Sequence, residues 1–479
     1  MRKVLKTALV AILALVMLTT VCFAEFVPYP SYTLDTSLKD MPTAPGYLPE
    51  KVIGGKMDDN ISFKSPEDLY LYENMLIVCD TGNNRVVALN IDNDYEVMYT
   101  IEVFNGEDIF AAPYGLCVAN EELYVADKDN GRLVVFNVND GSYVREVGAP
   151  DLSLSAMQDV KYQPIKVGVD SNERIFVVSS GATDGLIQIE QDGTFIRYFG
   201  SNSVTPNLWE LFLRRFMTAE QIKKRIVTIP IEYNNISVDS SDFVYVTTDN
   251  VSKLQIKRLN ASGGNIMAIN GRTEGVYGPP NMGKTHMADV TADAYNNVYG
   301  ITQDGVIYQY NELGDVLNIF GGFGTTVGTF SSPKAIHVTE DGKTLYVLDA
   351  SKASVTVFKA TEFGELVLRA NNTFVEGRYE DSLELWADVL KLNGNYDVAY
   401  TGIGNAYMQI QEYELAMKNF QLGENKKDYS KAFEEYRSKL LSDNFSWLMT
   451  GALVLVVVLI LVRKPIGKIF RKIKNFVNA

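Results

Sequence analysis

The sequence is poor in cysteine and histidine, the residues that build disulfide frameworks and most zinc sites. It has three cysteines and two histidines in 479 residues, too few for a multi-disulfide framework or for a site with three histidine ligands. No recognisable local motif pairs a serine or cysteine nucleophile with a histidine. Cys79 and Cys117 each replace an apolar residue within a predicted strand. We expect both to be buried thiols, with a disulfide between neighbouring repeats as the alternative.

Basic residues are also in deficit, since the formal net charge is −15. Three basic residues lie in residues 1–24 and six lie in residues 463–479, which leaves about −24 for the part between them. Binding to nucleic acid needs a basic face on the protein. The composition therefore predicts that nucleic acid is not a partner.

Long apolar runs are confined to the two ends of the chain. Residues 1–24 combine basic residues, an apolar run and small residues before Glu25, which predicts a secretory signal peptide cut after Ala24. Lipidation at Cys22 is the alternative, but the preceding Thr-Thr-Val lacks the small residue expected there. Residues 25–50 are rich in proline and predict a linker whose first part could be removed with little effect.

The C-terminal run, residues 445–462, is long enough to cross a bilayer as a helix. A buried core helix is the alternative, but it would not be apolar on every face. The tail, residues 463–479, has six basic residues and no acidic one, which predicts a cytoplasmic C-terminus and an extracellular region 25–444 on a bacterial cell membrane. The apolar residues of the tail share one helical face, which predicts contact with anionic lipid.

Two fifteen-residue segments share one pattern, LIVCDTGNNRVVALN at 76–90 and LYVADKDNGRLVVFN at 123–137. Each reads as a strand, a polar turn led by Asp and a second strand opened by Arg, which is typical of a hairpin. The pattern resembles the NHL repeat, and this resemblance implies a β-propeller with one repeat of about forty residues per blade. Six blades align by their second strands, which contain residues 76–79, 123–126, 175–178, 244–247, 298–301 and 345–348.

The predicted propeller covers residues 51–362 and includes a helical insertion at 201–230. The sixth blade has no good fourth strand of its own, so we expect residues 51–55 (KVIGG) to close the ring beside its third strand. We expect the insertion to be a helical flap packed on the propeller with a solvated basic face, and a partner-binding element with Trp209, Arg214 and Arg215 as its candidate residues is the alternative. Residues 278–285 match the P-loop pattern, but two prolines remove backbone N–H groups that would bind phosphate, so we interpret them as a loop between blades.

From residue 363 to 442 the apolar period changes to that of helices. The run resembles tetratricopeptide repeats, because Tyr379 and Tyr413 occupy equivalent turns one family period apart. The predicted fold is therefore mainly β: a six-bladed β-propeller of NHL type, a small α-helical tetratricopeptide-repeat domain and one C-terminal transmembrane helix. Both resemblances imply binding of proteins or other ligands.

The mouth of the propeller offers the candidate site. Sugar-lactone hydrolases of the gluconolactonase type are similar six-bladed propellers, and the resemblance implies a calcium site built from Glu, Asn and Asp at the entrances of the inner strands. The equivalent positions here are Glu67, Tyr114, Ile165, Asn234, Ala288 and Lys334. Glu67 and Asn234 suit a metal, whereas Lys334 adds an opposing charge and Ala288 supplies no ligand.

We therefore interpret the mouth as a polar ligand or partner face that includes Tyr114 and Lys334, with no cofactor and no catalytic residue. The function that follows is a membrane-anchored extracytoplasmic scaffold. Its partners would be membrane or envelope proteins, and it would serve as an accessory to a bacterial transport or envelope complex. A calcium-dependent hydrolase of sugar lactones is the alternative.

Overall fold

A computed structural model describes residues 27–35, 39–57, 61–152, 161–201, 232–248, 255–267 and 286–477. The predicted signal peptide, the P-loop-like segment 278–285 and all but the first residue of the insertion 201–230 lie outside these ranges. Trp209, Arg214 and Arg215 consequently lie outside the described residues.

Six antiparallel sheets are arranged in a ring, which confirms the six-bladed propeller. The first blade consists of β4 (Asp68–Tyr72), β5 (Met75–Asp80), β6 (Arg85–Asn90) and β7 (Glu96–Ile101). The second blade consists of β10 (Pro113–Ala119), β11 (Glu122–Asp127), β12 (Arg132–Asn137) and β13 (Tyr143–Val147). The third blade consists of β14 (Pro164–Val169), β15 (Ile175–Ser179), β16 (Leu186–Ile189) and β17 (Phe195–Phe199). A short hairpin, β8 (Val103–Phe104) and β9 (Asp108–Ile109), joins the first two blades.

The fourth blade has β18 (Tyr233–Val238), β19 (Val244–Thr248) and β20 (Ile256–Leu259) among the described residues. The fifth blade has β21 (Met287–Ala292), β22 (Val298–Thr302), β23 (Val306–Tyr310) and β24 (Val316–Gly321). The sixth blade has β25 (Pro333–Val338), β26 (Thr344–Asp349) and β27 (Ser354–Ala360). The first strand of each blade contacts the first strands of the two neighbouring blades, so these six strands surround the axis. The second strands are almost wholly buried, as their runs of Val, Ile, Leu and Tyr require.

The Asp and Arg that recur in the sequence fasten the turn between the second and third strands. In the first blade, the buried carboxylate of Asp80 accepts hydrogen bonds from Arg85 Nε at 2.7 Å and from the Lys64 backbone N–H at 2.7 Å. In the second blade, Asp127 accepts from Arg132 Nε at 3.0 Å and from the Ala111 N–H at 2.7 Å. Each Asp thus ties the turn to the connection that enters its blade, which explains why both residue types recur together.

The predicted ring closure is confirmed. Strand β3 (Tyr47–Gly54) pairs antiparallel with β27, with Ile53 opposite Val355. The fourth strand of the last blade therefore comes from the N-terminal part of the chain, which removes an open sheet edge.

The segment expected to be a linker differs from that prediction. Two strands, β1 (Tyr32–Leu34) and β2 (Asp40–Pro42), add to the outer edge of the fifth blade, and Tyr32 lies opposite Ile319 of β24. Thr33 Oγ1 donates a hydrogen bond to the Val316 carbonyl at 2.8 Å. The described part of residues 27–54 therefore forms a strap over the fifth and sixth blades.

Cys79 and Cys117 are both buried and both free of a disulfide, as expected for thiols that replace apolar side chains. Burial raises the pKa of the Cys117 thiol to about 12, and burial also raises the pKa of the Cys79 thiol. Neither thiol is therefore ionised near neutral pH.

Six helices follow the propeller: α1 (Glu362–Val375), α2 (Tyr379–Leu392), α3 (Asp397–Gln409), α4 (Tyr413–Leu422), α5 (Lys426–Asp443) and α6 (Phe445–Val477). From α1 to α5 each helix packs against the next, in an order typical of stacked helical hairpins. Thr361 caps α1, since its side chain accepts a hydrogen bond from the Gly364 N–H at 3.1 Å.

The helices pack on one face of the propeller. We call this face, where third strands end, the lower face; the upper face is where first strands begin. Tyr396 Oη donates to the Leu317 carbonyl at 2.7 Å, and Thr361 Oγ1 donates to the carbonyl of Pro45 in the strap at 2.6 Å. A Cβ on Gly364 would come within 2.0 Å of the Gly46 carbonyl oxygen, so α1 needs glycine to approach the strap.

The last helix is different from the others. Its segment Phe445–Arg463 is long and apolar enough to cross a membrane, and none of it is buried against the rest of the protein. Exposure of so many apolar side chains to water is unfavourable.

Candidate functional site at the propeller axis

Glu67, Tyr114, Asn234 and Lys334, the residues predicted to line the mouth, all lie where the innermost strands begin. Glu67 directly precedes β4, whereas Tyr114, Asn234 and Lys334 are the second residues of β10, β18 and β25. All four therefore lie at the upper end of the axis. Glu67, Tyr114 and Lys334 lie close together, whereas Asn234 lies apart from them.

Glu67, Tyr114 and Lys334 form one cluster from adjacent blades. Lys334 Nζ lies 2.9 Å from Glu67 Oε2, with the two side chains 32% and 15% exposed. Burial and the neighbouring Glu67 carboxylate both raise the pKa of Tyr114. Lys128 Nζ lies 4.6 Å from the centre of the Tyr114 ring, on its face. The cluster therefore offers a phenol, an ammonium and a carboxylate at the edge of the mouth.

Asn234 belongs to the fourth blade, on the far side of the ring from Glu67. Its amide nitrogen donates to the Met287 carbonyl at 2.8 Å, and its amide oxygen accepts a hydrogen bond from Thr247 Oγ1. Both metal-ligand candidates are thus engaged by other protein groups. Within the described ranges, no group of three or more His, Cys, Asp or Glu side chains is placed to hold a metal ion.

The residues that directly follow the mouth positions in the innermost strands form a second layer around the axis. In this layer, charged side chains occur on alternate blades. Asp68, Lys166 and Asp289 belong to the first, third and fifth blades, and each is at most 5% exposed. Lys166 Nζ lies 2.6 Å from Asp68 Oδ1. Asp68 Oδ2 accepts from the Leu116 N–H at 2.8 Å, and Asp289 Oδ2 accepts from the Ile336 N–H at 2.7 Å. Each carboxylate therefore also fastens its blade to the next one.

The sequence did not reveal this layer, because strand alternation places Asp289 on the opposite face from Ala288. The structure has a β-bulge here: Met287 pairs with Thr302 and Asp289 with Ile301, which leaves Ala288 as the extra residue. A bulge re-aims the side chains that follow it. The same register shift occurs at the start of β10, β14, β18 and β25. Three of these strands begin with proline, but β18 and β21 begin with Tyr233 and Met287, so no shared entrance residue marks the bulge in the sequence.

Burial controls the protonation of this layer. It raises the pKa of Asp289 to about 7, against the opposing effects of Lys166 and of two backbone N–H groups. Burial likewise raises the pKa of Asp68, which Lys166 opposes. Burial disfavours the Lys166 ammonium, but the two carboxylates outweigh this and raise its pKa.

The neighbouring His337 is not poised for acid–base chemistry. Burial lowers its pKa to about 4, so the imidazole is neutral near pH 7. Its ring packs edge-on to Tyr70 with centroids 4.8 Å apart.

No protein-family model matches the chain, and no curated protein does. Among solved structures, it is similar to Kuenenia stuttgartiensis hydrazine synthase, with 11% identity and a TM-score of 0.41, over 66% of this chain and 83% of that one. It is also similar to the Cps50 (Swd1) β-propeller domain of Myceliophteria thermophila, with 10% identity and a TM-score of 0.40, over 63% of this chain and 99% of that one. Neither similarity bears on function at these values.

Proposed function

We propose that this chain is a membrane-anchored extracytoplasmic scaffold that binds a partner or ligand at the upper mouth of its propeller. One observation carries the proposal: the mouth lies at the upper end of the propeller axis, whereas the helical unit that leads into the apolar helix packs on the lower face. The mouth residues lie at the start of the inner strands, whereas the helices leave from the end of β27 and pack on the lower face. A bilayer that holds α6 would therefore leave the mouth free.

The helical unit serves in this proposal as a spacer with a binding surface of its own. Its contacts with both the strap and the fifth blade, through Thr361 and Tyr396, fix its position under the propeller. A partner held by the helices would lie near the bilayer, as expected for an accessory of a transport or envelope complex. The basic tail, 463–479, would contact anionic lipid on the cytoplasmic side.

The calcium-dependent lactonase alternative draws no support from the mouth geometry. Glu67 is paired with the Lys334 ammonium, and Asn234 bonds to protein groups. An ammonium beside a divalent cation raises the electrostatic cost of binding that cation. The binding function therefore fits the mouth better than a metal-dependent reaction.

A pull-down from detergent-solubilised native membranes tests the proposal. Lys334→Glu puts a second carboxylate beside Glu67, so it should abolish co-purification of any mouth partner. Lys39→Glu makes the same charge change at an exposed position on the strap and should retain the partner. Equal recovery with both variants, each checked for an unchanged fold by circular dichroism, would refute binding at the mouth.

A further inference from the structure

The outer side of α5 carries a stripe of apolar residues. Tyr429, Phe433, Tyr436 and Leu440 follow one another at intervals of four, three and four, so they share one helical face. Phe433 and Leu440 are 48% and 46% exposed, and Tyr429 is 37% exposed. We call these four residues the α5 stripe.

The α5 stripe borders the face that holds α5 in the helical unit, and its member Tyr436 also reaches Glu414 of α4. The apolar contact of that face is made by the buried Ala432, which packs against Ala416 and Phe420 of α4. The stripe begins beside a groove of about 550 Å³ between the end of α4 and the start of α5. It leads toward α6, where Trp447, seven residues after Leu440, is 82% exposed. An apolar face at this spacing is typical of a helix that pairs with another helix.

The charges on the two sides of the stripe are complementary to each other. On one side Tyr436 lies against Glu414 of α4, and the Glu414 carboxylate raises the pKa of that hydroxyl by accepting its hydrogen bond. On the other side lies Arg437, which is exposed and makes no ion pair within the described part of the chain. Arg437 and Glu414 are level with each other along α5, because Arg437 directly follows Tyr436.

We infer that the α5 stripe is the contact between two copies of this chain. A two-fold axis parallel to α5 would bring each stripe against the other and would place Arg437 of each copy beside Glu414 of its partner. Two chains anchored by α6 in one bilayer have the same orientation across the membrane, so neither chain has to be inverted to form this parallel arrangement. The inference rests on the proposed membrane anchoring, and it gives the scaffold two mouths that face the same side.

Such a pair would also change how the scaffold binds. Two mouths held on one bivalent assembly raise the effective concentration of the second mouth for a ligand with two sites. The partner class that fits is therefore an oligomeric or repetitive surface component.

Cysteine cross-linking in membranes tests the pairing on the full chain. Cys79 and Cys117 are buried, so a Cys22→Ser background gives little cross-linking of its own. Leu440→Cys lies on the stripe, and Ser438→Cys is its matched control on the opposite side of α5. With a mild oxidant, Leu440→Cys should give an adduct of twice the monomer mass, at least several-fold more than Ser438→Cys.

The charges provide an independent test in the same Leu440→Cys background. Arg437→Glu should reduce the adduct several-fold, and Arg437→Glu combined with Glu414→Arg should restore most of it. Equal adducts at 438 and 440, an adduct of a different mass, or no rescue by the charge exchange would overturn the pairing. If the chain instead fails to sediment with membranes, the proposed anchoring itself fails, which is a distinguishable result.

Discussion

Lys166→Met would leave two buried carboxylates at the propeller axis without their cation. Lys166 Nζ lies 2.6 Å from Asp68 Oδ1, and both side chains are at least nine-tenths buried. Removing one partner of a buried ion pair costs about 3–5 kcal/mol, because the other charge stays buried without compensation. We expect a loss of this size in the free energy of unfolding at pH 8.

The loss should depend on pH in a defined direction. The pKa of Asp289 is raised in the folded protein to about 7, from its ordinary value of 3.8. A raised pKa means that the folded state holds this proton more tightly, so the stability it contributes is present below pH 4 and is lost as pH rises through 7. The full difference is about 4 kcal/mol. At pH 5 Asp289 is protonated already and no longer needs the Lys166 cation, so Lys166→Met should cost less at pH 5 than at pH 8.

Urea unfolding of the purified full chain, followed by circular dichroism at both pH values, measures this effect. Lys334→Met is the matched control, because it removes the partly exposed partner of Glu67 and should cost at most about 1 kcal/mol. A cost for Lys166→Met below about 1 kcal/mol, or one equal at pH 5 and pH 8, would refute the account of a buried charged layer.

Three further predictions concern the turns, the strap and the mouth. Asp127→Ala leaves the Ala111 N–H without its acceptor, while Arg132 keeps its ion pairs with Asp108 and Glu146. It should lower the free energy of unfolding by about 1–3 kcal/mol in urea titrations, and a change below about 0.5 kcal/mol would contradict the role given to this Asp. Deleting residues 25–45 removes β1, β2 and Pro45, so it should lower the melting temperature by several degrees, and an unchanged melting curve would show that the strap is dispensable. Millimolar calcium should leave the melting temperature unmoved, because only a bound ligand stabilises the folded state; a rise that disappears in Glu67→Gln would favour the hydrolase.

The sequence was sufficient to predict the blades because their second strands are continuous apolar runs between polar turns. It was sufficient for the ring closure because β27 lacks a following strand and KVIGG resembles the outer strands of other blades. Two features escaped it for physical reasons. Strands β1 and β2 have three residues each, too few to show a period of two, and the bulge at Ala288 reverses the alternation from which the facing of Asp289 is inferred.

At the mouth, the sequence places the four residues at one level but cannot tell which of them meet. It predicts that Lys334 opposes a cation, and the Lys334 ammonium in fact binds Glu67 directly. The engagement of Asn234 by Met287 depends on how far the fourth and fifth blades approach each other. That spacing is a property of packing across the ring, which no local pattern in the chain encodes.

Labelling with a membrane-impermeant maleimide tests the central claim, that the mouth faces away from the cell and the tail faces inward. Asp129→Cys lies exposed in the upper-face turn between β11 and β12, and Ala479→Cys ends the tail; the native Cys79 and Cys117 are buried and should not react. In intact cells Asp129→Cys should be labelled at once and Ala479→Cys only after the membrane is permeabilised. Labelling of Ala479→Cys in intact cells, or protection of Asp129→Cys, would contradict the account.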